Sequence, residues 1–165
     1  MKIGILSDTH GDLPGFLRAI DTMGPCDYYL HAGDVLAHGT RGVFPGVDGH
    51  TDLASVLAAE KNIYFARGNC DFDTDEIGLG HDLSQNDRVI ELDGLTFYLT
   101  HGHRDTYRER VAKAKRAGAD VLIYGHSHRK ELFREDNLTV VNPAARLRRG
   151  TVFRRSRCTK TAVSD

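Results

Sequence analysis

The first twelve residues, MKIGILSDTHGD, most constrain what this chain can fold into. Lys2 to Ser7 predicts a short apolar strand that delivers Asp8 and His10 to its carboxyl end. Ligands usually bind at this edge in open α/β sheets. Residues i and i+2 share a face of an extended chain, so a carboxylate and an imidazole can converge there on one metal ion. The simpler alternative is that Asp8 caps a turn beside an incidental surface histidine.

Four more predicted strands are each followed directly by a polar, glycine-containing cluster. The four strands, each given with the cluster that follows it, are 28–32 with Gly33-Asp34, 62–66 with 67–71 (RGNCD), 95–100 with 101–103 (HGH), and 120–124 with 125–128 (GHSH). Each donor taken singly could be a cap, a turn residue or a hydrogen-bonded histidine. Together the strand ends present seven oxygen or nitrogen donors, namely Asp8, His10, Asp34, Asn69, His101, His126 and His128.

Capping and turn residues predict the elements between these strands. We expect helices capped by Asp12, Thr51 and Asp105, with Pro14 in the first turn of the first one. Asp93-Gly94 predicts a tight hairpin turn, and a second hairpin is expected across residues 135–137. Residues 35–50 should form a glycine-rich loop, and 72–87 should be irregular. The resulting order predicts an α/β core with an antiparallel portion, arranged as two mixed β-sheets flanked by helices.

The composition of the chain narrows its environment and partners. Its 165 residues, 40% hydrophobic and 27% charged, suit one globular domain. No apolar run approaches the length of a membrane span, and no secretory leader precedes the first strand, so we expect a cytoplasmic protein. Three scattered cysteines argue against a disulfide framework. The formal net charge of −1 argues against nucleic acid as a partner.

The mixture of donors indicates the chemistry. Carboxylate and imidazole ligands without thiolates favour a catalytic Mn²⁺, Fe, Ni²⁺, Co²⁺ or Zn²⁺ with open positions. Seven donors exceed the needs of one such ion. Two ions about 3.5 to 4 Å apart, bridged by one carboxylate, would use them all and would clamp the attacking and leaving oxygens at phosphorus. Hydrolysis of phosphate esters is therefore the leading prediction.

The ordered motifs D-x-H, G-D, G-N-C-D, T-H-G-H and G-H-S-H resemble those of the calcineurin-like metallophosphoesterases, in particular the small bacterial and archaeal phosphodiesterases. The resemblance covers residues 1 to about 143 and implies a four-layer α/β/β/α sandwich. Residues 144–165 would then form a basic tail, with one last strand near 151–155 followed by disorder.

The resemblance also implies a ligand set. One ion would take Asp8, His10, Asp34 and His128, and the other would take Asp34, Asn69, His101 and His126. The two divalent ions, Mn²⁺ first among the candidates, would share Asp34. A hydroxide between them would attack phosphorus in line, and Asp71 would orient neighbouring groups from behind the ligands.

Two departures from the family pattern affect the other site residues. Many relatives have histidine where this chain has Cys70, a poorer acid that we expect to shape the substrate site. We therefore expect His103 to protonate the leaving group. His38 and Arg41 are candidate phosphate contacts. Ala144-Ala145 follows Asn142-Pro143 where relatives commonly continue with Gly-Ser, which leaves the closing turn open.

The expected substrate is a small phosphodiester or nucleotide, and a homo-oligomer is left open. One alternative is a protein-binding scaffold, because the family fold also resembles a retromer subunit that works by interaction. The other is a nuclease, since the tail is basic. Neither an aromatic stacking platform nor an added nucleic-acid domain supports the nuclease.

Overall fold

The computed structural model describes residues 1–36, 49–144, 151–154 and 162–164, without the side chains of 49–52 and 162–164. In chain order the elements are β1 (Lys2–Leu6), α1 (Leu13–Met23), β2 (Tyr28–His31), α2 (Gly49–Ala59), β3 (Ile63–Phe65), α3 (Asp73–Leu79), β4 (Asp87–Leu92), β5 (Leu95–Thr100), α4 (Tyr107–Arg116), β6 (Val121–Ile123), β7 (Glu131–Glu135), β8 (Leu138–Asn142), β9 (Thr151–Arg154) and β10 (Ala162–Ser164).

The strands form two mixed five-stranded sheets, as the order of elements predicted. The first sheet has the order β10-β9-β1-β2-β3, in which β1, β2 and β3 are parallel and β9 is antiparallel to β1. The second sheet has the order β4-β5-β6-β8-β7, with β5, β6 and β8 parallel and an antiparallel strand at each edge. Three parallel strands thus lie at one side of the first sheet and at the centre of the second, and in each sheet their carboxyl ends lie side by side.

Alternation along the strands builds three apolar layers. Ile3 and Ile5 of β1 face the second sheet, where they pack with residues such as Phe97 and Val121. Leu6 faces the other way, toward the core formed with α1, α2 and α3. A third cluster packs α4 against the outer face of the second sheet. The resulting layers are helix, sheet, sheet and helix, which confirms the predicted fold class.

Local signals located several element boundaries correctly. The Asp12 side chain caps α1 by accepting a hydrogen bond from the Gly15 amide at 2.8 Å. Asp93 and Gly94 have φ of 51° and 71°, the positive values that a tight turn between β4 and β5 requires. Gly118, at φ 68°, follows α4 as expected.

Three local expectations were wrong. Residues 72–87 contain α3, whose first turn is acidic and stabilised by a capping interaction between Phe72 N and Asp75 at 2.9 Å. Helix α2 begins at Gly49, so Thr51 lies inside the helix instead of capping it. Thr106, rather than Asp105, caps α4, because it forms a reciprocal capping box with Glu109.

The basic tail contributes more structure than the single strand expected from sequence. Strand β9 lies beside β1, and Phe153 is fully buried between the sheets. Strand β10 pairs with β9, so the described part of the segment contains two strands. Pairing of β9 with β1 and with β10 satisfies backbone hydrogen-bonding groups of these strands, although the sequence of the segment is rich in arginine. Among the described residues, no helix is long and apolar enough to cross a bilayer.

Candidate metal centre

Two adjacent loops of the first sheet bring three of the predicted ligands together. Asp8 and His10 follow β1, and Asp34 follows the neighbouring parallel strand β2. The backbones of these loops are hydrogen-bonded, from Asp8 N to Gly33 O at 2.9 Å and from His10 N to Asp34 O at 3.0 Å. We call residues 7–12, 32–36 and 66–71 the first-sheet loops, and residues 101–106 and 124–129 the second-sheet loops.

Most of the predicted ligands have an unfavourable backbone conformation. Positive φ in residues with a side chain costs about 1 to 3 kcal/mol and persists where the surroundings impose it, often at functional sites. Five of the seven predicted ligands have φ between 46° and 64°: Asp8, His10, Asp34, His126 and His128. The turns after β1, β2 and β6 thereby aim these side chains toward one region.

The Asp8 carboxylate has one oxygen held by the protein and one left without a hydrogen bond. Its Oδ2 accepts hydrogen bonds from Ser7 Oγ and from the His126 amide, the latter at 3.1 Å. Its Oδ1 is buried and receives no hydrogen bond from any residue that the structure describes, although His128 Nε2 lies 3.2 Å away. A buried, unpaired carboxylate oxygen beside an imidazole nitrogen is the arrangement that a cation would complete.

Asp34 lies between the two groups of ligands. Its Oδ1 accepts a hydrogen bond from the Cys70 amide at 2.8 Å. Its Oδ2 lies 3.3 Å from His101 Nε2 and 3.8 Å from His10 Nε2. Burial disfavours the charged carboxylate, but the hydrogen bond and charge of His101 outweigh this effect and lower the pKa of Asp34. The carboxylate is therefore ionised at neutral pH.

His101 presents one ring nitrogen to this region. Its Nδ1 contacts the Ala32 carbonyl oxygen at 2.7 Å, and since a carbonyl only accepts, Nδ1 is the donor. Its Nε2 lies 3.0 Å from Asn69 Oδ1 and 3.3 Å from Asp34 Oδ2, both acceptors, so Nε2 is protonated and donates there, and a metal ion would take the place of this proton. Metal-binding histidines commonly have such a partner on the other ring nitrogen. The His126 ring centroid lies 5.1 Å from that of His101.

The residues present fit a divalent metal. Ligand atoms of three triads lie within 4.8 Å of one another: Asp8, His10 and His128; Asp8, Asp34 and His101; and His10, Asp34 and Cys70. Together with Asn69 and His126, which contact His101, the first two triads contain every ligand predicted from sequence. Hard oxygen and imidazole nitrogen donors around an unpaired carboxylate oxygen suit the ions named above.

Asp71 lies behind the ligands and holds the backbone of two first-sheet loops. Its carboxylate accepts hydrogen bonds from Asp34 N and Val35 N, both at 2.8 Å, and from Gly68 N at 2.7 Å. Burial raises the pKa of Asp71, and these three hydrogen bonds oppose that rise. The contacts position the amides on both sides of Asp34.

Two glycines allow the loops to approach the carboxylates closely. A Cβ atom at Gly68 would lie 2.8 Å from Asp34 Cγ, and one at Gly125 would lie 2.6 Å from Asp8 Oδ2. Real Cβ atoms do not approach other atoms this closely. The glycine before Asn69 and the glycine before His126 are therefore required by packing against the site.

Cys70 and His103 border the same region. Burial, followed by the negative charge of Asp34, raises the pKa of the Cys70 thiol to about 11, so the thiol is neutral. Arg104 Nε donates a hydrogen bond to His103 Nε2 at 3.2 Å, which leaves the proton of a neutral ring on Nδ1. That Nδ1 is buried and has no hydrogen-bond partner within the described part of the chain. A cavity of about 140 Å³ lies beside His103, Arg104 and Asn86.

The predicted phosphate contacts His38 and Arg41 lie outside the described residues. Conversely, three residues that form hydrogen bonds behind the ligands were not predicted from the sequence. Thr9 and His31 bond to each other at 3.1 Å, and Asn142 Nδ2 donates to the Gly125 carbonyl at 3.1 Å. The signal available in the sequence was a polar residue within an apolar strand. His31 is the last residue of the apolar strand β2, and Asn142 is the last residue of the apolar strand β8.

Carboxylates and imidazoles that meet at the carboxyl ends of strands from both sheets of a sandwich are typical of a metallohydrolase. The chain belongs to the calcineurin-like phosphoesterase superfamily, whose domain model matches residues 1–157. The chain is 29% identical over 151 residues to a phosphodiesterase of Methanocaldococcus jannaschii, covering 87% of this chain and 82% of that one. It is 30% identical over 131 residues to phosphodiesterase YfcE of Escherichia coli, covering 78% and 70%.

Solved structures agree with this membership. The phosphoesterase YfcE of Escherichia coli superposes with a TM-score of 0.71 at 26% identity, covering 88% of this chain and 80% of that one. A zinc complex of Vps29 from Entamoeba histolytica superposes with a TM-score of 0.63 at 16% identity, covering 93% and 86%. The second comparison shows that a vacuolar sorting protein shares the fold.

Proposed function

We propose that this protein is a metal-dependent phosphodiesterase that hydrolyses a small phosphodiester or nucleotide. The observation that carries the proposal is the buried Asp8 Oδ1, which has no hydrogen bond from the described residues and lies among Asp34, His10, His101 and His128. The names of the relatives in Methanocaldococcus jannaschii and Escherichia coli supply the diester preference. Residues 1–143 would form the catalytic domain, with the basic segment 144–165 appended.

Two divalent ions, Mn²⁺ first among the candidates, would complete the site. Asp8, His10, Asp34 and His128 would hold one ion, and Asp34, Asn69, His101 and His126 would hold the other. When bound, such ions supply an activated water for in-line attack and Lewis-acid stabilisation of the phosphoryl oxygens. Asp34 would be the shared ligand, because its Oδ2 lies within 4 Å of both His10 and His101.

The chain's own residues would fix the ligands and deliver a proton. Asp71 holds the amides on either side of Asp34, so the carboxylate is oriented before substrate binds. His103, whose ring centroid lies 5.3 Å from that of His101, would act as an imidazolium that donates a proton to the leaving oxygen and becomes the neutral imidazole. The neutral Cys70 thiol would shape the substrate site without acting as a nucleophile.

Two further features would contact the substrate. The cavity of about 140 Å³ beside His103 and Arg104 would receive a small leaving group. His38 and Arg41 would contact the phosphate oxygens. The proposal also includes a cytoplasmic location, and it allows a homo-oligomer.

Hydrolysis of bis(p-nitrophenyl) phosphate tests the activity directly. We expect turnover with Mn²⁺ or Ni²⁺ that chelation removes, and a loss of at least about a hundredfold in Asp34→Asn, because a ligand is replaced by a neutral amide. Elemental analysis of the isolated protein identifies the native metal. Metal binding without turnover, and no effect of Asp34→Asn, would support the interaction scaffold instead.

A comparison of leaving groups tests His103. In His103→Ala we expect a loss of about a hundredfold on a nucleoside-type diester, whose alkoxide needs a proton, and less than about threefold on the nitrophenyl diester. His103→Gln, which keeps a donor but cannot transfer the proton as readily, serves as the matched control. An equal loss on both substrates would exclude His103 as the acid.

Oligonucleotide binding tests the nuclease alternative. The proposal of a small substrate predicts weak binding that does not depend on the basic segment. Affinity that falls steeply with salt and disappears when Arg146, Arg148, Arg149, Arg155 and Arg157 are changed to glutamine, which leaves β9 in place, would favour a nuclease.

A further inference from the structure

A fully buried histidine lies directly beneath two of the first-sheet loops. His31 is the last residue of β2 and has 0% of its surface exposed. It precedes Asp34 by three residues and is not among the proposed ligands. Its ring packs against that of Phe65, with centroids 5.6 Å apart. A buried imidazole in an apolar strand requires partners for both nitrogens, since an unpaired buried polar group is costly.

The hydrogen bonds of His31 define its tautomer. The Gly33 amide donates to His31 Nδ1 at 3.2 Å, so Nδ1 carries the lone pair. Burial, followed by the positive charge of His101, lowers the pKa of His31 to about 3. The ring is therefore neutral and carries its proton on Nε2. That nitrogen lies 3.1 Å from Thr9 Oγ1 and is the donor in this contact.

Thr9 extends the chain of hydrogen bonds to the other side of Asp34. Its hydroxyl donates to the Val35 carbonyl at 2.8 Å while its oxygen accepts from His31. The network therefore runs from Gly33 through His31 and Thr9 to Val35, and it encloses Asp34. Thr9 is itself the residue between Asp8 and His10 and is 2% exposed.

Three ligands flanking this network have positive φ, and such conformations persist only where neighbouring structure imposes them. We propose that His31 is a positioning residue that acts through Thr9, holding the turn of Asp8 and His10 against the turn of Asp34 and thereby setting the affinity for divalent metal. The inference rests on the proposed metal-dependent function. It adds residues that donate no metal ligand but decide where three ligands lie.

Variants of Thr9 separate this role from general packing. Thr9→Val keeps the shape of the side chain and removes the hydroxyl, and Thr9→Ser restores the hydroxyl. Thr151→Val is the matched control, because Thr151 is also 2% exposed but its Oγ1 has no hydrogen-bond partner among residues 1–36, 49–144, 151–154 and 162–164. The readouts are the Mn²⁺ dissociation constant by titration calorimetry and the melting temperature of the metal-free protein.

We expect Thr9→Val to weaken Mn²⁺ binding about tenfold, a loss typical of outer contacts that orient ligands. Thr9→Ser and Thr151→Val should stay within about twofold of wild type. A folded Thr9→Val with unchanged Mn²⁺ affinity would overturn the proposal. So would an equal loss in Thr151→Val, because that would show an effect of packing alone.

The tautomer of His31 provides a test that needs no active enzyme. Long-range ¹H–¹⁵N correlation spectra of the metal-free protein, with the His31 signals assigned by their absence from His31→Asn, should show protonated Nε2 and unprotonated Nδ1. Protonated Nδ1 would overturn the network even if the Thr9 variants failed to fold. Wild-type protein that binds Mn²⁺ but hydrolyses no phosphodiester would contradict the proposed function alone, and the Thr9 variants would still decide the role of His31.

Discussion

The first-sheet and second-sheet loops supply the same candidate site but are held in different ways. In the first-sheet loops, Asp8 and Asp34 are almost fully buried, and Asp71 and Thr9 bind the neighbouring backbone. In the second-sheet loops, only His101 among the proposed ligands is buried, while His126 and His128 are exposed. The two carboxylates therefore belong to an internal hydrogen-bond network, whereas His126, His128 and Asn69 are exposed at the rim of the site and His10 is half-buried.

Electrostatics gives a reason for this difference. A buried carboxylate must be compensated by hydrogen bonds or positive charge, so its surroundings have to be fixed during folding. A neutral imidazole has a smaller desolvation cost and can remain at the surface until a cation binds. We therefore expect substitutions in the first-sheet loops to weaken metal binding more than substitutions in the second-sheet loops.

The largest expected effect separates the shared ligand from a single-site ligand. His10→Ala should remove one ion and leave the second, whereas Asp34→Asn should deplete both, because Asp34 Oδ2 faces both His10 and His101. Elemental analysis after dialysis gives the number of ions bound per chain. Retention of two metals in both variants would refute the assignment of Asp34 as a bridge.

A smaller effect compares the supports behind the two sets of loops. Asp71→Asn replaces an acceptor of three amides with a group that presents N–H to one of them, so metal affinity should fall about 10- to 100-fold. Ser127→Ala, which removes an acceptor for Asn142 in the second-sheet loops, should change affinity less than about threefold. Calorimetric titration with Mn²⁺ measures both, and equal losses would erase the proposed difference between the two sets of loops.

The smallest effect concerns stability without metal. Asp87 accepts hydrogen bonds from Thr100, directly before His101, and from Lys113 of α4, at 2.7 and 3.1 Å. Burial opposes ionisation of Asp87, but these contacts outweigh it and lower the pKa. Asp87→Asn should therefore reduce the free energy of unfolding by about 1 kcal/mol at pH 7.

The pH dependence of this loss follows from the direction of the shift. A carboxyl group with a depressed folded pKa stabilises the fold above its unfolded pKa, about 3.9 for Asp, and loses this contribution as pH falls through the folded value. Urea unfolding at pH 7, 5 and 3 should show the gap between Asp87→Asn and wild type closing only below about pH 4. The Mn²⁺ affinity of Asp87→Asn should stay within about twofold of the wild-type value at pH 7. A larger loss would show that buried groups behind the second-sheet loops also support metal binding.

The sequence located most strands and the polar residues that follow them. The strands that end at Leu6, His31 and Thr100 were recognisable because apolar runs, turn residues and glycine occur in a consistent order. Helix α3 was missed because its cap, Phe72, is not a typical capping residue and its short acidic segment has little apolar periodicity. Strand β9 has a buried position because it pairs with β1, a partner more than a hundred residues away.

For the candidate site, sequence alone determined the kinds of donor and their positions at strand ends. A predicted strand implies where its last side chains emerge, so Asp8, His10 and Asp34 could be identified without coordinates. The tertiary structure decided which atoms meet, including the unpaired Asp8 Oδ1 and the link from His31 through Thr9 to Val35. The physical reason is that donor chemistry is a local property, whereas distance, burial and a hydrogen-bond partner depend on chain segments that only folding brings together.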